Sequence, residues 1–305
     1  MALSHSHSHS LLHPRIDAHL HFWRYSAGDY PWIGADMRAL AVDRTPGHLL
    51  PQLSACGFTG AIAVQARATV DETRFLLELA RRNDWIRGVV GWEDLTCEGL
   101  GERLQDWRAE PRLCGWRHQV QDEPDAAAFL GCAAFGRGMA LLQRQGWAYD
   151  LLVFHHQMEA AAAFCARHDA DWLVLDHLGK PPLAVLAREQ AAFGHWQARL
   201  RRFAALPHVA CKLSGLVTEA DWRAGLDGAG RACLLRCLDM ALQVFGPQRL
   251  MFGSDWPVCL LAAPYATVFE LVDGWASSRL SASEREALWG GTAARCYGLH
   301  PQGMT

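Results

Sequence analysis

Residues 15–21 read Arg-Ile-Asp-Ala-His-Leu-His. In an extended chain successive side chains alternate between faces, so His19 and His21 point the same way. Two imidazoles so placed can converge on one cation or on one substrate oxygen. Alone the pair is weak evidence, because two satisfied structural histidines would read alike. Seven further short apolar runs follow, at Thr59–Gln65, Ile86–Trp92, Leu113–Val120, Tyr149–Phe154, Trp172–His177, Val209–Ser214 and Leu250–Ser254. Between them lie segments of helical period: Thr69–Arg82, Glu159–His168, Gln190–Leu206, Arg231–Phe245 and a last helix from Ser281. Thr69 with Glu72, and Ser281 with Glu284, have capping-box spacing. Strands apolar on both faces and separated by helices predict a parallel sheet covered on both sides. Eight such units fit a (β/α)8 barrel, which takes about 250 residues plus insertions. The expected fold is therefore α/β, a distorted TIM barrel forming a single domain over residues 14–300. An open doubly wound sheet lacks its Gly-rich turn after the first strand. Trp23–Pro51 reads as a long loop. Residues 1–13, where His5, His7 and His9 alternate with serine, read as a disordered or tag-like tail, and 301–305 as a C-terminal tail.

Composition narrows the function. The chain has 305 residues, half of them hydrophobic, and 29 Lys+Arg against 32 Asp+Glu. There is no basic surplus to neutralise a phosphate backbone, which argues against nucleic acid as a partner. No apolar run approaches the roughly 20 residues that span a bilayer, and the first ten residues lack the pattern of a secretory signal. The ten cysteines form no C-x-x-C pair and mostly lie in apolar surroundings. They read as reduced, buried thiols of a cytoplasmic protein. Oligomeric state has no signature in the sequence.

Reactive groups of a barrel sit where its strands end. Reading each end in turn gives His19 and His21; Gln65; Trp92; Arg117 and His118; His155 and His156; Asp176, His177 and Lys180; Lys212 and Ser214; and Asp255, within Gly-Ser-Asp-Trp-Pro (253–257). Polar groups crowding one end of an apolar barrel must pair or bind something. Nitrogen and carboxylate ligands from His19, His21, His177 and Asp255 suit Zn²⁺, with Mn²⁺ the alternative. Asp255, after a run of small and apolar residues, is either a core ion-pair partner or a base for water. Asp176 precedes His177 and is expected to face away from the pocket, in a packing or supporting role. Of Arg117 and His118 only one can point inward, and Arg117 suits a carboxylate or paired hydroxyls. His155 and His156 pose the same alternative. Lys180 and Lys212 hold substrate oxygens or form barrel ion pairs. His48, His168, His195 and His208 are expected at the surface. Among 13 tryptophans, Trp23, Trp32, Trp92 and Trp256 lie near the active end, where aromatic faces suit the C–H faces of a sugar ring.

These strand ends resemble the amidohydrolase superfamily, in its amidohydrolase-related branch, and within it the sugar-acid lactonases of L-fuconolactonase and L-rhamnonolactonase type. The resemblance rests on IDAHLHFW (16–23), AVQAR (63–67), GVVGWEDL (88–95), RHQVQDEPD (117–125) and YDLL (149–152). It continues through LVLDHLGKP (173–181), CKLSGLVTEADW (211–222), LMFGSDWPVCLLA (250–262) and GGTAARCYGL (290–299). It implies hydrolysis of a cyclic ester, with Asp255 as general base and His19, His21 and His177 around the carbonyl or a divalent ion. A catalytic set of Asp255, His177, His19 and His21 follows, with the same four as metal ligands. Arg117, His118, Trp32, Trp92, Gln65, His155 and Lys180 are the expected substrate contacts. Strand 4 offers Arg117-His118 where binuclear relatives carry a bridging Lys or Glu, so at most one ion is implied, Zn²⁺ in the first instance. Strand 5 continues as Phe154-His155-His156-Gln157 where Pro-Arg-Gln is usual. The expected substrate is a small sugar lactone. The alternatives are a metal-dependent decarboxylase of aromatic acids, a pyrone-dicarboxylate-type lactonase, or a ligand-binding barrel without catalysis.

Overall fold

The computed structural model describes residues 14–220 and 226–299; both expected tails, 1–13 and 301–305, lie outside them. Eight parallel strands follow one another round a single sheet: β1 (Ile16–Leu20), β2 (Gly60–Val64), β3 (Ile86–Gly91), β4 (Leu113–His118), β5 (Ala148–Leu151), β6 (Leu173–Leu175), β7 (Val209–Leu213) and β8 (Leu250–Phe252). β8 is too short to reach the far end of β1. The seam closes beyond it, where Asp255 N donates to His19 O at 2.9 Å and His21 N to Trp256 O at 2.7 Å. The result is the (β/α)8 barrel expected, a single domain. No helix among the described residues is long and apolar enough to cross a membrane.

The barrel interior is layered. Ile16, Ala18, Ile62, Val64, Val90, Ala148, Val174, Ala210 and Met251 fill its lower part, plugged from below by Ala293, Cys296 and Tyr297. Leu20, Leu151, Leu173, Leu175, Leu213 and Phe252 face outward onto the surrounding helices. Burial of this kind is worth about 25 cal/mol per Å² of apolar surface and fixes the alternation along each strand.

Several elements depart from the expectation. The segment Trp23–Pro51 is not a plain loop: a 3-10 turn covers Ala35–Leu40 and a helix begins at Pro46, running to Ala55. Its N-terminus is a capping box in which His48 takes the place usually held by Glu or Gln, which hides the signal. Strands 4, 5, 6 and 8 stop two or three residues early, so the polar residues after them lie on loops. At Val70–Arg82 the box is only half made. Thr69 accepts from Glu72 N, but the Glu72 carboxylate turns inward to Ala66 N, Arg67 Nε and Tyr30 OH. The box at Ser281–Glu284 forms as expected.

Candidate active site

β1 carries an irregularity between Asp17 and Leu20. Ile16 and Ala18 belong to the barrel interior, whereas Leu20 and Phe22 pack outside. The bulge restarts the alternation and brings His19 and His21 inward above the apolar layer, the re-aiming that bulges near functional sites provide. Asp17 ties this bulge to the β8 loop. Its carboxylate accepts from His19 N at 3.1 Å, Ser254 N at 3.0 Å and Tyr265 OH at 3.1 Å. Burial pushes its pKa up to about 6 against those donors.

His177 and Asp255 are held differently. Both adopt left-handed backbone, φ 54° and 58°, a conformation that costs a non-glycine residue about 1–3 kcal/mol and persists where surroundings enforce it. For β6 this corrects the reading of Asp176. Val174 points inward, Asp176 keeps that register, and His177 reaches the interior only because its backbone breaks the alternation. Asp176 is fully buried beneath His19.

Three acceptor atoms meet at the floor of the cavity. His19 Nε2 lies 3.2 Å from His21 Nε2 and 3.7 Å from Asp255 Oδ1, and His21 Nε2 lies 3.3 Å from the same oxygen. His177 packs against His19 with ring centroids 4.5 Å apart, its Nδ1 2.8 Å from Ser214 Oγ. Tautomers follow from the other ring atoms. His21 Nδ1 donates to Val64 O at 2.7 Å, leaving the lone pair on Nε2. Arg117 Nη1 lies 3.3 Å from His19 Nε2, and on the other side of the ring His19 Nδ1 lies 3.3 Å from Asp176 Oδ1 and 3.2 Å from Lys212 Nζ. Burial holds His19 well below the usual histidine range, Asp176 opposing, and pushes His177 down to about 4. For Asp255 burial opposes ionisation, but His177, His21 and His19 outweigh it and keep the carboxyl below its ordinary range.

Two imidazole nitrogens and a carboxylate oxygen this close together form a donor set that one cation can share. An ion bonded tetrahedrally at about 2.0–2.1 Å separates its ligand atoms by about 3.4 Å, close to the separations here. The donor set therefore fits the divalent ion that the resemblance implies.

Below the cluster lies a buried ion network. Lys212 reaches the Asp150 carboxylate, Asp176 Oδ1 at 3.1 Å and His19 Nδ1 at 3.2 Å. Arg117 bonds Asp176 Oδ2 at 3.0 Å and the Gln65 carbonyl, and Tyr297 OH donates to Asp150 at 2.6 Å. Lys212 thus belongs to the barrel rather than to a ligand.

Above it opens a cavity of about 350 Å³, within the range of small-molecule sites. His21, His177, Asp255 and Arg117 form its floor. Trp32, Met37, Ala66, Leu152, Val258 and Leu261 give it apolar walls, and Gln119, Gln121, Asp122, Lys180, Thr218 and Glu219 polar ones. Trp32 is 40% exposed there, while Trp23 and Trp256 are buried in packing. Four expected substrate contacts do not line it. Gln65 is buried in a reciprocal amide pair with Gln119. Trp92 Nε1 donates to His118 Nδ1 at 3.0 Å, and His118 Nε2 meets Glu123 at 2.6 Å, because Arg117 takes the inward position and turns His118 toward the next helix. His155 is half-buried beside His156, 5.4 Å between rings. His48 and His195 are exposed as expected, but His168 and His208 are half-buried. Sequence reading missed Asp17, Asp150, Tyr297 and the cavity residues Asp122 and Glu219. A lone Asp within the apolar YDLL run is the one signal that asked for a buried partner.

A family model described as Amidohydrolase matches residues 16–299. The chain is 61% identical over 285 residues to an L-fucono-1,5-lactonase of Burkholderia multivorans, covering 93% of this chain and 96% of that one. A second L-fucono-1,5-lactonase, from Burkholderia ambifaria, is 32% identical over 93% of this chain and 95% of its own. The crystal structure of a Burkholderia multivorans amidohydrolase with bound zinc superposes with a TM-score of 0.91 at 60% identity, covering 94% of this chain and all of that one. With its barrel, its strand-end residues and these relatives in agreement over nearly the whole length, the chain belongs to the amidohydrolase family.

Proposed function

We propose that the protein hydrolyses a sugar lactone, L-fucono-1,5-lactone or a close analogue. The observation that carries this reading is the 3.2–3.7 Å cluster of His19, His21 and Asp255 on a cavity floor, in a chain 61% identical to a lactonase of that substrate. The lactone ring lies with its C–H face on Trp32 and its carbonyl toward the floor. Asp255, ionised at neutral pH, takes a proton from a water molecule as its oxygen bonds the carbonyl carbon. As the tetrahedral adduct collapses, the bond from that carbon to the ring oxygen breaks. Asp255 returns the proton to the departing oxygen, leaving the open-chain sugar acid. Arg117, fixed by Asp176, keeps His19 oriented and adds positive potential beside the developing oxyanion. His19, His21 and Asp255 would hold a divalent ion, Zn²⁺, with His177 beside it, and such an ion supplies Lewis-acid polarisation of the carbonyl. Seven of the ten cysteines are buried free thiols, which supports a reducing compartment, the cytoplasm.

The test is a pH-indicator assay of purified protein on aldonolactones, with and without chelator, run beside CO₂ release from hydroxybenzoates. Acid release from L-fucono-1,5-lactone is expected. Absence of lactone turnover together with CO₂ release overturns the reading in favour of a decarboxylase.

A further inference from the structure

The Phe154–Gln157 segment, just after β5, supplies none of the residues of the floor cluster, and its two histidines do not line the cavity. Its contacts converge elsewhere. The Phe154 ring lies 5.2 Å from Lys180 Nζ, a cation–π separation. The His155 ring interacts with the Lys180 backbone, which is held in left-handed conformation at φ 49°. Gln157 clamps the turn: its Oε1 accepts from Phe154 N at 2.8 Å and its Nε2 donates to Gln121 O at 3.3 Å. His156 stacks on Phe154, 5.8 Å away and inclined by only 14°.

What is seated in this way matters for recognition. Arg117 spends its guanidinium on Asp176 and the Gln65 carbonyl. Arg117 is thus tied down at the floor, and among the described residues lining the cavity Lys180 is the cation of its walls. Glu219 lines the same cavity and interacts electrostatically with Lys180. A hydroxyl both donates and accepts, so a cation and a carboxylate on one polar wall match adjacent sugar hydroxyls, while the apolar wall of Met37, Val258 and Leu261 does not.

We propose that Lys180 and Glu219 are the specificity-determining pair that reads the hydroxyl-bearing face of the lactone, and that Phe154 and His155 are positioning residues that seat Lys180. This rests on the lactone reading above and adds which side chains choose among lactones. Phe154 and His155 act through Lys180 and touch no substrate.

The experiment is a double-mutant cycle in steady-state kinetics on L-fucono-1,5-lactone and L-rhamnono-1,5-lactone, its diastereomer at C2 and C4, with thermal unfolding of every variant. Lys180→Met is expected to raise KM for the L-fucono substrate about tenfold or more, with a smaller change in kcat, the pattern of lost binding. Glu219→Gln is expected to narrow the preference between the two lactones. Phe154→Leu and, separately, His155→Ala raise KM several-fold in the native background and add nothing in the Lys180→Met background, as residues acting through one partner must. Multiplicative effects overturn the positioning claim, and an unchanged KM in Lys180→Met overturns the pair. Should the unsubstituted protein turn over neither lactone, the hydrolysis reading itself falls; turnover with indifferent variants removes this inference alone.

Discussion

A neutral imidazole has a single lone pair, and the atom touching its other nitrogen decides where that pair points. Val64 O does this for His21, while Asp176 and Lys212 both flank Nδ1 of His19. Asp176 stays ionised there because Lys212 and Arg117 neutralise it in a place where an isolated carboxylate would protonate. Two cations against Asp150 and Asp176 keep this layer balanced, and removing one partner of a buried pair exposes the cost of the other. Lys212→Met is therefore expected to destabilise the protein by about 3–5 kcal/mol in denaturant unfolding; a loss below about 1 kcal/mol would show that the network does not hold those charges. The four residues of the floor were legible in the sequence because each stands at a strand end, where a barrel gathers its chemistry. Asp150 and Lys212 were not paired in advance. They meet across the barrel, 62 positions apart, and nothing local encodes which inward residues of different strands share a layer.

Among elements, the seam between β1 and β8 sets the site. It joins the bulge carrying His19 to the loop carrying Asp255 through Asp17, and it requires close approach at Gly253. A Cβ on Gly253 would lie 2.6 Å from His19 Cβ and 3.0 Å from Ser214 Cβ, closer than side-chain carbons pack. Gly253→Ala is expected to shift His19 and to lower kcat/KM by about 100-fold, since about 1 Å of misplacement suffices for that, while far-UV circular dichroism stays native. Activity within threefold of the unsubstituted protein would mean that the seam tolerates displacement. Strand periodicity foretold the eight strands but not their ends. It failed at β1, where a bulge resets the face, and at β6, where left-handed backbone at His177 puts two successive residues inside. Such breaks are set by tertiary closure, not by local propensity. The helix at Pro46–Ala55 escaped notice because His48 caps it in place of an acid.

For the whole molecule, the lower interior is apolar and closed and the upper interior is polar and open, so binding at the top draws on a rigid base. An ion that binds the folded state alone stabilises it by about 2.7 kcal/mol at a hundredfold excess over its Kd. Chelation is thus expected to abolish lactone turnover and to lower the unfolding temperature by several degrees, both recovered on adding Zn²⁺. Calorimetry with parallel activity measurement checks this, and full activity in the metal-free protein would show that the floor works through its side chains alone. The central claim is that Asp255, brought against His19 and His21 by the β1–β8 seam, moves the proton in ester hydrolysis. The most direct test is kcat/KM for L-fucono-1,5-lactone in Asp255→Asn. A loss of about 100- to 10,000-fold is expected, the usual contribution of a positioned base, with an unfolding transition as cooperative as that of the unsubstituted protein. Turnover within about tenfold of the unsubstituted protein would contradict it.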